Sequence, residues 1–177
     1  MSQSEVAGGR LTPAGALPAK GLRIPDVRLT DTDGRPVPAS DYRGSKSLVL
    51  VFADGGNKSS GLLAKIGEEY QAFVDEDAEV LAIVWGQPQE VANLKKSLKL
   101  PFPVLNDEDG AAHRNFGAIE EHGRAAAAVY VTDRFGEIYD ASRTRDGDRL
   151  PAVPEILASL EFINIQCPEC APPEWPA

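Results

Sequence analysis

The sequence predicts an α/β protein: a mixed central sheet flanked by helices, with an N-terminal β-hairpin extension. Three observations carry this. Two unbroken apolar runs, KSLVLVFAD and AEVLAIVWG, are too short for helices and too continuous for half-exposed strands, so they read as central strands covered on both faces. They alternate with segments of helical period, an order that implies parallel strands and a right-handed crossover. A late pair, AAAAVYVTD and GEIYDASR, turns at Asp133–Gly136 and adds antiparallel strands.

Each element follows in order. GLRIPDVRLTDTDGRPVPASDYRG is two extended pieces about a turn at Asp31–Gly34, where Asp33-Gly34 is a hairpin signal. After the first central run, SGLLAKIGEEYQAFVDE sets Leu62, Leu63, Ile66, Tyr70, Phe73 and Val74 on one helical stripe. PQEVANLKKSLKL is a second helix opened by Pro88, PFPVLND is short and extended, and DEDGAAHRNFGA is a short helix. The last helix, from about Pro151 to Gln166, stacks Val153, Ile156, Leu157, Leu160 and Ile163.

A chain of 177 residues fits one folded domain, and its apolar and charged fractions of 42% and 25% are those of a globular protein. We divide it into a flexible leader at 1–20, a domain at 21–165 and a tail at 166–177. The net charge of −9 argues against nucleic acid and against an anionic membrane surface, both of which need a basic footprint. No apolar run approaches the roughly 20 residues of a membrane-spanning helix. The first residues lack the apolar core of a secretory signal. A cytoplasmic location is therefore expected, with the two cysteines held reduced.

The words IPDVRLTDTDGRPVPASDYRG, SLVLVFAD, LPFPVLNDEDGAAHRNFG and AVYVTDRFGEIYDA, in this order and spacing, resemble the thioredoxin-like fold in its peroxiredoxin form, the alkyl hydroperoxide reductase/thiol-specific antioxidant family. The resemblance spans about residues 21–165 and implies a three-layer sandwich. It also implies an antioxidant oxidoreductase, a protein partner (a redox partner among the candidates), pairing into a homodimer, and a reactive cysteine in the loop entering the first long helix. Thiolates are favoured there by the helix N-terminus. This chain instead reads Asn57, Lys58, Ser59 and Ser60 at that loop, a degenerate version of the family site. Serine cannot pass through the sulfenic and disulfide states that carry the electrons. The family's cis-proline or arginine before the VYVTD strand is likewise replaced by Ala125–Ala128, with Arg124 the nearest base.

A serine nucleophile would need a base, and only His113, His122 and Lys58 offer one. Ser59 and Ser60 read more simply as helix caps. The stretch DGGNKSSG also offers donors to an anion, without the spacing of a P-loop. Asp107, Glu108 and Asp109 read as a solvated helix start, and Trp85 as core or cleft rim.

The only cysteines are Cys167 and Cys170, in the tail word CPEC. Their spacing suits a reversible disulfide, which makes them the candidate catalytic pair for thiol–disulfide exchange. It also suits two ligands of a zinc site, completed by another copy of the tail or by His113 and His122. In a third reading the tail is a redox-inactive docking element, with the cysteines packed as small apolar groups. No other cofactor is expected.

Overall fold

The computed structural model describes residues 18–54, 57–120, 122–144 and 149–166. Seven strands form one sheet: β1 Arg28–Asp31, β2 Pro36–Pro38, β3 Ser47–Ala53, β4 Ala78–Val84, β5 Val104–Asn106, β6 Ala128–Thr132 and β7 Ile138–Arg143. The helices are α1 Asn57–Glu68, α2 Tyr70–Asp75, α3 Pro88–Leu98, α4 Ala111–Asn115 and α5 Val153–Ile165. The sheet order is β2-β1-β5-β4-β3-β6-β7. Strands β3, β4 and β5 are parallel, while β1, β6 and β7 each run antiparallel to the neighbour that precedes them toward the centre.

The two unbroken runs do occupy the centre, and every residue of β3 and β4 is buried. Period-two geometry then divides β3 between two cores. Val49, Val51 and Ala53 face α1, α3 and α5, meeting Leu63, Ile66, Val91, Ile156 and Leu160. Leu48, Leu50 and Phe52 face the other layer, meeting Ile24, Val27, Phe116 and Tyr130. The result is the three-layer sandwich that the sequence implied.

Both turns use one device. Asp31 Oδ1 accepts the amides of Asp33 and Arg35 at 2.8 and 2.9 Å, and Gly34 follows at φ +77°. Asp133 Oδ1 accepts those of Phe135 and Glu137 at 2.8 and 2.9 Å, and Gly136 follows at φ +80°. The aspartate fixes the bend and only glycine takes its left-handed residue cheaply.

The N-terminal hairpin extends the sheet as expected: β1 pairs with β5 at Thr30–Asn106 and Asp31–Leu105, covering an edge that would otherwise leave backbone groups unbonded. One expectation changes. The first helix is not continuous, because Glu69 (φ −105°, ψ 15°) separates α1 from α2. The break lets Tyr70 donate to Glu79 at 2.5 Å and buries Phe73, while Val74 turns outward to 36% exposure.

Two rims matter below. At the upper rim β3, β4 and β5 end and α1 begins. At the lower rim these strands begin and α1, α3 and α5 end. Asn164 near the end of α5 donates to the Glu76 carbonyl at 3.0 Å, and a Cβ on Gly67 of α1 would lie 3.4 Å from Leu100 beyond α3.

Phe52 holds the second core together, its ring centroid lying 5.0 Å from His113, 4.9 Å from Phe116 and 5.7 Å from Tyr130. Phe52→Ala should cost about 3–5 kcal/mol through lost burial and the cavity left behind. Urea unfolding measures it, and a loss below about 1 kcal/mol would contradict this packing.

Candidate functional site

The upper rim gathers the residues at which the family resemblance places chemistry. Ala53 and Asp54 end β3, Trp85 follows β4, Asp107 follows β5, and the first turn of α1 contributes Asn57, Lys58, Ser59 and Ser60. For Asn57 and Lys58 only the backbone placement in that turn is described.

Ser59 is fully buried, and its hydroxyl donates to Asp54 Oδ1 at 2.5 Å. Ser59 and Ser60 are the third and fourth residues of α1, past the capping position that the sequence suggested for them. Asp54, by accepting this hydrogen bond, brings a carboxylate to the first turn of α1. The ring nitrogens of His113 are directed to Asp107 and to the Ala53 carbonyl rather than to Ser59.

His113 falls in the short helix expected over DEDGAAHRNFGA, and Asp107 was expected at a solvated helix start. Both are fully buried, which corrects the reading of Asp107. Asp107 Oδ2 lies 2.6 Å from His113 Nδ1, and the other ring nitrogen, Nε2, lies 3.3 Å from the Ala53 carbonyl. Asp107 also accepts the amides of Ala112 at 3.1 Å and His113 at 2.9 Å, capping α4. Its own amide donates to Val84 at 2.9 Å.

Burial, the largest single influence on Asp107, pushes its carboxyl up. The hydrogen bonds from the His113 ring and from the two amides, with the charge on His113, together outweigh it and hold the carboxyl below its usual range. Sequence reasoning missed this pair because the two residues sit in a strongly polar stretch. The available signal was an aspartate directly after a strand with a histidine six residues on, one helical turn into α4.

Trp85 does line the rim, as the sequence suggested. Its indole centroid lies 5.6 Å from His113, and the Arg114 guanidinium sits 5.7 Å from the ring centre. Gly110 passes over the indole at φ +71°, where an added Cβ would meet Trp85 at 2.2 Å. A glycine is therefore required on two counts. Tyr130 and Arg143 secure the far side of α4 by donating to the Phe116 and Gly117 carbonyls.

Arg124, the nearest base to Ala125–Ala128, is a surface residue paired with Glu120 at 2.6 Å. His122 is exposed on a loop. His113 directs both ring nitrogens into the interior, so it does not serve the zinc arrangement considered above. Among the described residues no group of three or more histidine, cysteine, aspartate or glutamate side chains is placed to hold a metal. Cys167 and Cys170 lie outside the described residues.

A parallel-centred sheet with an antiparallel hairpin at each end, and a helix N-terminus following β3, defines a thioredoxin-like protein. Residues 21–141 match the AhpC/TSA family, and the chain belongs to it. It is 29% identical to alkyl hydroperoxide reductase E of Mycobacterium tuberculosis over 133 residues, 72% of this chain and 87% of that protein. It is 30% identical over 100 residues to the chloroplastic peroxiredoxin Q of Oryza sativa subsp. japonica, covering 56% of this chain. The match spans about half, 46%, of the length of that rice protein.

The fold likeness is broader. The crystal structure of peroxidoxin BcpB from Mycobacterium tuberculosis superposes with a TM-score of 0.72 at 19% identity, over 81% of this chain and 97% of that one. Mycobacterium tuberculosis AhpC gives 0.71 at 21% identity, over 91% and 100%. No helix among the described residues is long and apolar enough to cross a membrane.

The depressed Asp107 carboxyl has a definite pH signature. Its stabilisation is fully present above the unfolded value of about 3.9 and is lost as pH falls through the lower folded value. Asp107→Asn should lower stability at pH 7 by about 3–5 kcal/mol, by stranding a buried partner. The gap from wild type should narrow as pH drops below about 4. Urea midpoints from pH 7 to 2.5 test it, and a constant gap would show that Asp107 is not the titrating group.

Proposed function

We propose that this chain is a redoxin-domain protein that works by thiol–disulfide exchange at Cys167 and Cys170, without a peroxide-reducing cysteine at the start of α1. The observation that supports this most is the pairing of a buried serine with a carboxylate at the α1 N-terminus, in a chain whose only sulfur nucleophiles are these two tail cysteines. Membership of the AhpC/TSA family favours sulfur redox chemistry over other uses of the fold. The partner is a protein carrying a dithiol or a disulfide, and a cytoplasmic, reducing setting keeps the pair cycling.

In the reducing direction the step balances as follows. One thiolate of the partner attacks a sulfur of the Cys167–Cys170 disulfide, forming a mixed disulfide and releasing the other tail cysteine as thiolate. The second partner thiol, as thiolate, then attacks the mixed disulfide at the partner's own sulfur. The partner leaves as a disulfide, and the tail keeps two electrons and two protons as a dithiol. The rate follows the thiolate fraction and nucleophilicity of the attacking sulfur.

Cys167→Ser, Cys170→Ser and the double variant should each lose reduction of a test protein disulfide to the uncatalysed rate. Thiol counting by mass should show a loss of two hydrogens on oxidation of the wild type and none in the variants. Activity in the double variant equal to wild type would falsify the assignment.

Ser59→Cys probes the other half of the reading. A thiol fully buried beside the Asp54 carboxylate is raised by both desolvation and like charge. Peroxide consumption by Ser59→Cys should match wild type. A gain of tenfold or more would show that this rim still supports a reactive thiolate.

A further inference from the structure

The lower rim carries a groove of about 500 Å³ between the β1–β2 turn and the end of α3, lined by Thr32, Asp33, Ala92, Lys95, Lys96, Lys99 and Leu100. In a chain of net charge −9, its wall is three ammonium groups. Among the described residues none of the three has an ion pair or a side-chain hydrogen bond. Lysines near a helix C-terminus complement the helix dipole. Lys99, however, stands in the left-handed region at φ +51°, ψ 43°, at the position just past the helix where glycine is the favoured residue. A lysine there carries a conformational cost that a glycine would not, and the charge it adds faces the groove.

We propose that the groove is the docking site of this chain's own C-terminal segment, 167–177, with Glu169 and Glu174 paired to Lys95, Lys96 and Lys99. Three arguments select this occupant. The first is the point of departure: α5 ends at the same rim, where Asn164 bonds Glu76, and Gln166 follows with an extended backbone. The second is reach. α5, α1 and α3 pack on one face of the sheet with α1 between the others, so the ends of α5 and α3 are about two helix spacings, roughly 20 Å, apart. Glu174, eight residues past Gln166, reaches up to about 26 Å along an extended chain, whereas Glu169, three residues past it, reaches about 10 Å and meets the lysines only with both side chains extended. The third is charge, since the segment carries Glu169 and Glu174 and no basic residue. Its prolines favour the extended form that such a crossing needs. The docking stands apart from the exchange reaction, because it rests on the glutamates and the groove lysines and uses no sulfur.

Zero-length carbodiimide cross-linking of the full chain tests it, on an equal mixture of ¹⁵N-labelled and unlabelled protein. The expected products join Glu169 or Glu174 to Lys95, Lys96 or Lys99 within single-isotope peptides, with a yield that falls as salt rises. Absence of these links overturns the proposal. So do mixed-isotope links, which would assign the groove to a second copy's tail. As a second readout, Lys95→Ser/Lys96→Ser/Lys99→Ser should raise cleavage after Glu174 by a glutamate-specific protease roughly fivefold, the effect of losing two exposed ion pairs. Unchanged cleavage in that variant, with its circular dichroism intact, also overturns it.

Discussion

The hydrogen-bonded link from Asp107 through His113 to the Ala53 carbonyl sets the geometry of the upper rim. It joins the end of β5, the short helix α4 and the end of β3, adding a side-chain link to the pairing through β4 that already aligns the two strands. Taking a carboxylate and an imidazole out of water costs several kcal/mol, and partial satisfaction would not repay it. The carboxylate therefore collects the ring proton and two amide protons, and the ring packs edge-on to Phe52 with an interplanar angle of 89°. With α4 fixed in this way, Gly110 must pass directly over Trp85, and the indole in turn receives Arg114. The rim is a consequence of the link.

Much of this was legible in the sequence, for reasons that are local. β3 and β4 announce themselves because burial on both faces removes any need for polar alternation. The Asp31 and Asp133 turns are legible because each carries its own acceptor and its own glycine. The upper-rim pair was not legible. Asp107 sits beside Glu108 and Asp109, and composition cannot say which of three carboxylates turns inward. That choice is made by the amides of α4 and by the ring six residues on. The break at Glu69 was equally hidden, since neither proline nor glycine stands at the joint. It follows from Tyr70 reaching Glu79 on a strand that the helix stripe alone does not reveal. The same holds for β1 and β5, whose pairing depends on an edge that exists only after the sheet has formed.

The pairing of Ser59 with Asp54 bears on the chemistry in a similar way. A helix N-terminus favours negative charge, and in a peroxide-reducing relative that preference would serve a thiolate. Asp54, ahead of α1, brings a full carboxylate to the same turn through its bond to Ser59. The serine and the aspartate support one another, because the hydroxyl needs an acceptor once buried and Asp54 supplies it.

Geometry then bears on where sulfur chemistry can act. α1 has 12 residues, and at about 1.5 Å each it separates the two rims by roughly 18 Å. The described chain leaves α5 at the lower rim and ends at Gln166, opposite the end that holds Asp54 and Ser59, with Cys167 the next residue in sequence. A thiol held by one residue cannot cross that distance, and the second, three residues further on, gains only about 10 Å. The exchange proposed for the tail therefore stands apart from the upper rim, and a partner engaging the proposed dithiol would meet the face where α1, α3 and α5 end.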